Sequence, residues 1–247
     1  MKPNIVEFVV HGRYALFSDP INRMGGEKLT YQVPTYEALK GILSSVYWKP
    51  TFTWVIDEVR ILNPIRSQSQ AIRPIMYGGG NTLSIYTYLS DVAYQVRAHF
   101  EWNMNRPELT HDRNENKHHN IAKRCIERGG RRDIFLGTRE CQGYVEACNF
   151  GEGESFYDSY GEMPLGVMFH GFTYPDEGIT QKLIARFWKP AMKDGIIQFK
   201  RPEECKIQRE LLQTSGKVFT FEANNVMPVE QFDWCKEFGG EAVELGQ

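Results

Sequence analysis

The most regular part of the sequence is the segment VAYQVRAHFEW at residues 92–102, and the fold assignment starts from it. Apolar side chains recur at every second position of this segment up to Phe100, whereas Gln95, Arg97 and His99 lie between them. Successive side chains of a β-strand point to opposite faces of the sheet. The alternation therefore predicts a strand with one apolar and one polar face.

Further strands and two helices flank this segment. Runs of β-branched and aromatic residues predict strands at residues 5–10, 51–62, 83–88, 143–150 and 165–174. A first helix follows Thr35, a capping residue, and carries an apolar stripe at helical spacing. A second helix runs from about Lys117 to Arg128 and stops at Gly129-Gly130. The order strand, helix, strand, strand, helix, strand predicts an α+β fold of the ferredoxin-like, or RRM-like, kind.

The pattern changes after Pro175-Asp176-Glu177-Gly178, which divides the chain into two expected domains. Residues 1–175 are predicted to form the ferredoxin-like domain. Residues 176–247 are predicted to form a small antiparallel β domain with a terminal helix. The elements expected in this second domain are strands at 183–188, 196–199 and 217–221 and a helix at 229–238.

Charge is distributed unevenly along the chain. The formal net charge is −2, so a nucleic-acid-binding function requires a local concentration of positive charge. Between Asp112 and Arg132 there are seven Lys or Arg against three acidic residues. Taken alone, this pattern is more typical of a solvated helix face than of a binding site.

The cysteines and the apolar runs exclude several classes of protein. Five cysteines contain no CxxC pair, which argues against a disulfide framework and a thiolate zinc site. The dipeptide His111-Asp112 could belong to a metal site, but no partner ligands are evident and the pair is common by chance. We therefore expect no metal and no cofactor. Residues 1–10 lack the core of a signal peptide and no apolar run could span a membrane, so we expect a cytoplasmic location.

Several longer blocks of the sequence resemble a known family. They occur in the same order as in that family, at residues 14–17, 33–43, 47–50, 91–94, 117–122, 135–141, 192–197 and 201–205. The chain is thereby identified as a member of the CRISPR-associated fifth family (Dvulg, subtype I-C), whose members are repeat-RNA-processing endoribonucleases. The resemblance covers most of the chain and implies a ferredoxin-like nuclease domain followed by a smaller antiparallel β region.

The resemblance also implies an activity and its partners. The protein would cut CRISPR precursor RNA at the 3′ base of the repeat hairpin without a metal, by attack of the 2′-OH, which leaves a 2′,3′-cyclic phosphate. It would then stay on the 5′ handle within an interference complex that contains backbone and large subunits. Affinity for double-stranded DNA is left open. The alternative is a non-catalytic RNA-binding subunit of the same complex. A general RRM-type protein is disfavoured because no aromatic RNP motif is present.

The family's catalytic residues fall on Tyr47, Lys117 and His118. Tyr47 is expected to orient or deprotonate the 2′-OH, His118 to act as general acid or base, and Lys117 to stabilise the charge on phosphorus. Spacing alone barely separates His118 from His119, and only the motif favours the former. The candidate RNA-binding residues are Arg113, His119, Lys123, Arg124, Arg131 and Arg132.

Overall fold

The computed structural model describes residues 4–19, 27–174 and 182–213, which form a mixed α/β fold with mostly antiparallel sheets and few helices. The helices are α1 (Tyr36–Val46) and α2 (Glu115–Glu127), and short 3-10 turns lie at Pro107–Asp112 and Pro202–Glu204. The strands are β1 (Val6–Ala15), β2 (Lys28–Leu29), β3 (Phe52–Ile61), β4 (Ser67–Ile72), β5 (Ser84–Trp102), β6 (Ile134–Phe135), β7 (Gln142–Ala147), β8 (Glu162–Pro164), β9 (Met168–Thr173), β10 (Lys182–Trp188), β11 (Ala191–Lys193), β12 (Ile196–Gln198) and β13 (Ile207–Gln213).

The main sheet is built around β5. Its strand order is β6-β7-β1-β5-β3-β12-β11-β8, and β2 and β4 are additional partners of β5. The strand predicted at residues 92–102 is confirmed as the second half of β5, between β1 and β3. Its apolar side chains are buried, as expected. Gln95 and His99 on the polar face are buried as well. The loop after β7 covers Gln95, which donates to the carbonyl of Glu152, and His99 is paired with Asp57 at 2.7 Å.

Both helices form where the sequence predicts them. Thr35 caps α1 by accepting a hydrogen bond from the amide of Ala38 at 3.2 Å, and the predicted apolar stripe is buried. Helix α2 begins two residues earlier than expected because Asn114 acts as its cap and binds the amide of Lys117 at 3.0 Å. It ends at Glu127, just before Gly129 and Gly130, which both have positive φ angles. Among the described residues, no helix is long and apolar enough to cross a membrane.

Strands from both sides of residue 175 pair with one another. The predicted strand at 165–174 corresponds to β9, which joins β10 and β13 in a separate three-stranded sheet. In turn, β11 and β12 join the main sheet, where β12 pairs with β3. The division into domains 1–175 and 176–247 stays a prediction. The strand expected at 217–221 and the helix expected at 229–238 lie outside the described residues.

Candidate active site

Tyr47 and His118 form a buried pair between the two helices. Tyr47 directly follows α1, and its backbone amide donates to the carbonyl of Leu43 at 2.9 Å. Its carbonyl accepts a 2.7 Å hydrogen bond from Nε1 of Trp54, which fixes the residue from the other side. The phenolic oxygen lies 2.7 Å from Nδ1 of His118. Tyr47 is 1% exposed and His118 is 0% exposed, so the pair is closed to solvent.

The hydrogen bonds of His118 determine which ring nitrogen carries the proton. Nε2 lies 2.8 Å from the backbone carbonyl of Asp112. A carbonyl oxygen only accepts, so Nε2 is the protonated nitrogen of the neutral ring and Nδ1 accepts from the Tyr47 hydroxyl. The rings of Phe52, Phe100 and Trp102 surround the imidazole at centroid distances of 5.3, 6.3 and 5.8 Å. The ring is thus fixed in orientation as well as in tautomer.

Asp112 connects this pair to Lys117. One carboxylate oxygen accepts from Nζ of Lys117 at 2.5 Å, and the other accepts from the Thr51 hydroxyl at 2.8 Å and lies 3.4 Å from Nε2 of His118. The hydrogen bond from Lys117, followed by that from Thr51, lowers the pKa of Asp112 to about 2. Lys117 remains half exposed at the amino end of α2, where the helix dipole favours an anion.

The environment of Tyr47 disfavours its phenolate. Burial, followed by the negative charge of Asp112, raises the pKa of Tyr47 to about 12. The guanidinium of Arg131 opposes this shift, and its Cζ lies 5.9 Å from the centre of the Tyr47 ring. A group that deprotonates so reluctantly is a poor general base near neutral pH. The arrangement favours Tyr47 as a hydrogen-bond donor to His118, with the imidazole as the proton acceptor.

Two of the six candidate RNA-binding residues lie next to this cluster. Arg131 and Arg132 are exposed and line a groove of about 430 Å³ together with Gly129, Gly130 and Tyr144. Arg131 also lies over the Tyr47 ring, with its Cζ atom 5.9 Å from the ring centre. Asp133 and Glu146 also line the groove, so its charges are mixed. The two guanidinium groups and the exposed ring of Tyr144 are features that single-stranded nucleic acid uses.

The other four candidates lie elsewhere or hold the fold together. His119 bonds to the carbonyl of Ile5 through Nε2 at 2.9 Å, which separates it from His118. Arg113 donates to two backbone carbonyls that precede α2, those of Asn103 and Arg106. Lys123 and Arg124 are exposed on α2; Lys123 lines a different cavity, with Glu127, and Arg124 bonds back to its own helix.

Asp112 and Thr51 were missed by the sequence analysis. The sequence gives Asp112 a role only as half of a His-Asp metal dipeptide, although its place just before a helix whose first turn carries Lys117 is a signal for an ion pair. The other half, His111, is exposed and bonds to the carbonyl of Glu108. Within residues 4–19, 27–174 and 182–213, no group of three or more His, Cys, Asp or Glu side chains is arranged to hold a metal ion.

Comparisons with known proteins identify the class of this protein. Residues 5–200 match the Cas5d family model, described as CRISPR-associated protein (Cas_Cas5). A Mannheimia succiniciproducens protein named CRISPR pre-crRNA endoribonuclease Cas5d is 27% identical over 221 residues, which cover 78% of this chain and 94% of that protein. A Thermus thermophilus protein of the same name is 29% identical over 146 residues, which cover 55% of this chain and 60% of that protein.

Two solved structures are similar over most of the fold. One, described as a CRISPR-associated protein, is 39% identical with a TM-score of 0.68 and covers 83% of this chain and 96% of its own. The other, a functionally uncharacterized protein from Streptococcus mutans, is 40% identical with a TM-score of 0.66 and the same coverage. Fold and sequence together define a CRISPR-associated protein. The chain belongs to the Cas5d family, subtype I-C.

Proposed function

We propose that this chain is an endoribonuclease that cleaves CRISPR precursor RNA at the 3′ base of the repeat hairpin. Two relatives in the Cas5d family are named pre-crRNA endoribonucleases, and the chain covers 94% of the first of them. The observation that carries the proposal is the contact chain from Tyr47 through His118 and Asp112 to Lys117. It joins a phenol, an imidazole and an ammonium group in one place.

The proposed chemistry needs no metal ion. The 2′-oxygen attacks the adjacent phosphorus, the bond to the 5′-oxygen breaks, and a 2′,3′-cyclic phosphate and a 5′-OH result. Tyr47 orients the 2′-OH by accepting its hydrogen bond. The hydroxyl proton of Tyr47 passes to Nδ1 of His118, the unprotonated ring nitrogen, as the 2′-OH proton replaces it on the Tyr47 oxygen. The imidazolium then supplies a proton to the leaving 5′-oxygen. Lys117 stabilises the added negative charge on phosphorus.

Asp112 has a defined place in this reaction. Its carboxylate binds Lys117 and Thr51, which are the donors that a phosphate would use at the amino end of α2. An RNA phosphate therefore replaces the carboxylate of Asp112 on Lys117 when the substrate binds. When the Asp112 carboxylate leaves Lys117, the Pro107–Asp112 turn moves with it. This movement opens a path to Tyr47 and His118, because the carbonyl of Asp112 in this turn covers Nε2 of His118.

The strand order supports a ferredoxin-like nuclease domain. Its four central strands have the order β7-β1-β5-β3, which in chain order is fourth, first, third, second, and all neighbours are antiparallel. Helix α1 links β1 to β3, and helix α2 links β5 to β7. This order is the one expected for the split βαβ arrangement of ferredoxin-like folds, which supports the proposed assignment. It brings the end of α1 and the start of α2 to the same side of the sheet.

After cleavage, the protein is proposed to remain on the 5′ handle in the cytoplasm. Its partners are then the repeat RNA and the backbone and large subunits of a subtype I-C interference complex, with double-stranded DNA as a further candidate ligand. The groove beside Arg131 and Arg132 is the proposed path for the RNA strand next to the scissile bond. Arg113 is not one of these proposed RNA contacts, because its guanidinium donates to the backbone carbonyls of Asn103 and Arg106.

A cleavage assay in excess chelator tests this proposal. Purified protein is incubated with repeat RNA and with the same RNA carrying a single 2′-deoxy sugar at the scissile nucleotide. We expect cleavage of the first and none of the second. Lys117→Ala and His118→Ala should abolish cleavage, whereas His119→Ala, the adjacent control, should retain it. Loss of cleavage in chelator would exclude the metal-independent mechanism, and loss with His119→Ala alone would exclude the assignment to His118.

The non-catalytic alternative is favoured by one observation. Tyr47 and His118 are buried, and both ring nitrogens of His118 already have partners. A subunit that only binds the 5′ handle would keep this pair closed, and neither RNA would then be cleaved. A general RRM-type protein is less consistent with the molecule. The face of β5 that would bind bases carries ion pairs instead, such as Arg97 with Glu7 and Glu58.

A further inference from the structure

A second cavity lies beside the catalytic cluster and is not part of it. It has a volume of about 550 Å³ and is bounded by α1, by the adjacent ends of β3 and β5, and by the three-stranded sheet. Its apolar lining includes Trp102, Met104 and Ile184. The charged residues of the lining are Lys40, Glu101, Arg186, Arg201 and Glu203. Apolar surfaces beside many polar and charged groups suit a ligand that has both an apolar face and a polar edge.

Trp102 connects this cavity to the candidate active site. The indole lines the cavity, and its ring centre lies 5.8 Å from that of His118 at an interplanar angle of 68°. Trp102 is the last residue of β5, and the chain runs from it through the Pro107–Asp112 turn to α2. A ligand that stacks in the cavity on Trp102 is therefore within one side chain of the reacting imidazole.

The cavity also contains an arginine with unused hydrogen-bonding capacity. Arg186 is 3% exposed and donates to the hydroxyl of Thr173, but its Nε atom has no hydrogen-bond partner in the part of the chain that is described. Arg201 is half exposed and bonds to Glu101 through Nη2 at 2.6 Å. A buried guanidinium with an unsatisfied donor is costly unless a ligand or water satisfies it.

An unpaired nucleobase matches both features. Bases of single-stranded RNA stack on aromatic rings and on guanidinium planes, and their polar edges accept hydrogen bonds from arginine. The cavity is large enough for one nucleotide with its sugar. A purely apolar ligand would leave Arg186 unsatisfied, and a free phosphate would make no use of Trp102, Met104 and Ile184.

We propose that this cavity binds the base of one unpaired nucleotide next to the scissile phosphodiester, with that base stacked on Trp102 and its edge facing Arg201 and Arg186. The inference rests on the proposed RNA-processing function and adds a specificity site to it. Stacked in this way, the base would hold the neighbouring phosphodiester at Lys117 and His118. It would also explain how cleavage is restricted to a single position at the foot of a hairpin.

An abasic scan tests the inference without changing the protein. Repeat RNA with a 2′-deoxy sugar at the scissile nucleotide is not cleaved in the proposed mechanism, so its dissociation constant can be measured directly. Each nucleotide on either side of that sugar is replaced in turn by an abasic one. We expect binding to weaken roughly 5- to 150-fold at one position and little at the others, as for the loss of one stacked base.

Protein variants then locate the sensitive base. In Trp102→Leu and in Arg201→Gln, intact RNA should bind more weakly, and the abasic substitution at the sensitive position should cause little further loss. Phe156→Leu removes an exposed aromatic ring that does not line the cavity and should leave the full abasic effect. Arg201→Gln changes an exposed side chain and serves if Trp102→Leu does not fold.

The outcomes separate this inference from the proposed function. Two results would overturn the cavity assignment and leave the nuclease proposal standing. In the first, intact RNA binds tightly but no abasic position weakens binding; in the second, the affinity losses from the abasic nucleotide and from the side-chain substitution simply add. Protein that fails to bind intact repeat RNA would overturn both. If the affinity loss from the abasic nucleotide largely disappears in Trp102→Leu or in Arg201→Gln, the result supports the cavity as the base site.

Discussion

Replacing Tyr47 by Phe removes one hydroxyl from the centre of the candidate site and tests the contact on which the mechanism depends. The hydroxyl donates to Nδ1 of His118 at 2.7 Å in a region without solvent access. Phe keeps the ring, so packing against Phe52 is retained. The variant leaves Nδ1 as a buried acceptor without a donor.

The size of the effect follows from that unsatisfied nitrogen. A buried polar group that loses its partner costs about 1–3 kcal/mol of unfolding free energy. For a chain of this length, each kcal/mol corresponds to a shift of about 2–4 °C in Tm, so the expected decrease is about 2–12 °C. Cleavage of repeat RNA in excess chelator should fall by about 10²- to 10⁴-fold, the usual contribution of a residue that assists one proton transfer.

Tyr157→Phe is the matched control for this experiment. Tyr157 is a buried tyrosine outside the candidate site, and its hydroxyl accepts a 2.8 Å hydrogen bond from the amide of Ile65. Its loss should lower Tm by a similar amount and leave cleavage unchanged. Tyr47→Phe with an unchanged Tm would contradict the hydrogen bond to His118. Tyr47→Phe with a lowered Tm and wild-type cleavage would remove Tyr47 from the mechanism.

Three further predictions concern charged groups of the site. Asp112→Asn should tighten binding of the 2′-deoxy repeat RNA by up to about 5-fold, since an exposed ion pair contributes up to about 1 kcal/mol; weaker binding would contradict the proposed competition with phosphate. Folding lowers the pKa of Asp112 to about 2 from about 3.9 in the unfolded chain, so the ionised carboxylate stabilises the protein above about pH 4. In acid unfolding, the wild type should therefore lose its extra unfolding free energy relative to Asp112→Asn as the pH falls from about 4 to about 2. Arg131→Ala should weaken RNA binding and reduce the slope of log K against log salt concentration by about 0.7. The control Arg124→Ala, which removes a side chain that bonds to its own helix, should change neither the affinity nor the slope. Equal slopes for wild type and Arg131→Ala would exclude a phosphate contact of Arg131.

The location of the site could be predicted from the sequence only in part. The motif match named Tyr47, Lys117 and His118, and these three do meet through Asp112. Adjacent residues on a helix point about 100° apart, so spacing could not decide which of His118 and His119 faces inward. Packing decides it, because His118 is enclosed by aromatic rings while His119 turns towards the first strand.

The sequence by itself predicted both helices and the principal strands around the segment 92–102, because alternation, caps and glycine stops are local properties of the chain. It did not predict β4, and it predicted separate strands at 83–88 and 92–102 where the structure has the single strand β5. Only the tertiary structure decided that residues 71 positions apart share a hydrogen bond, that Asp112 contacts both His118 and Lys117, and that the Trp102 ring packs against His118. It also decided that β9 leaves the main sheet to pair with β10. These contacts depend on how distant elements pack, and the periodicity of a single segment carries no information about its distant partners.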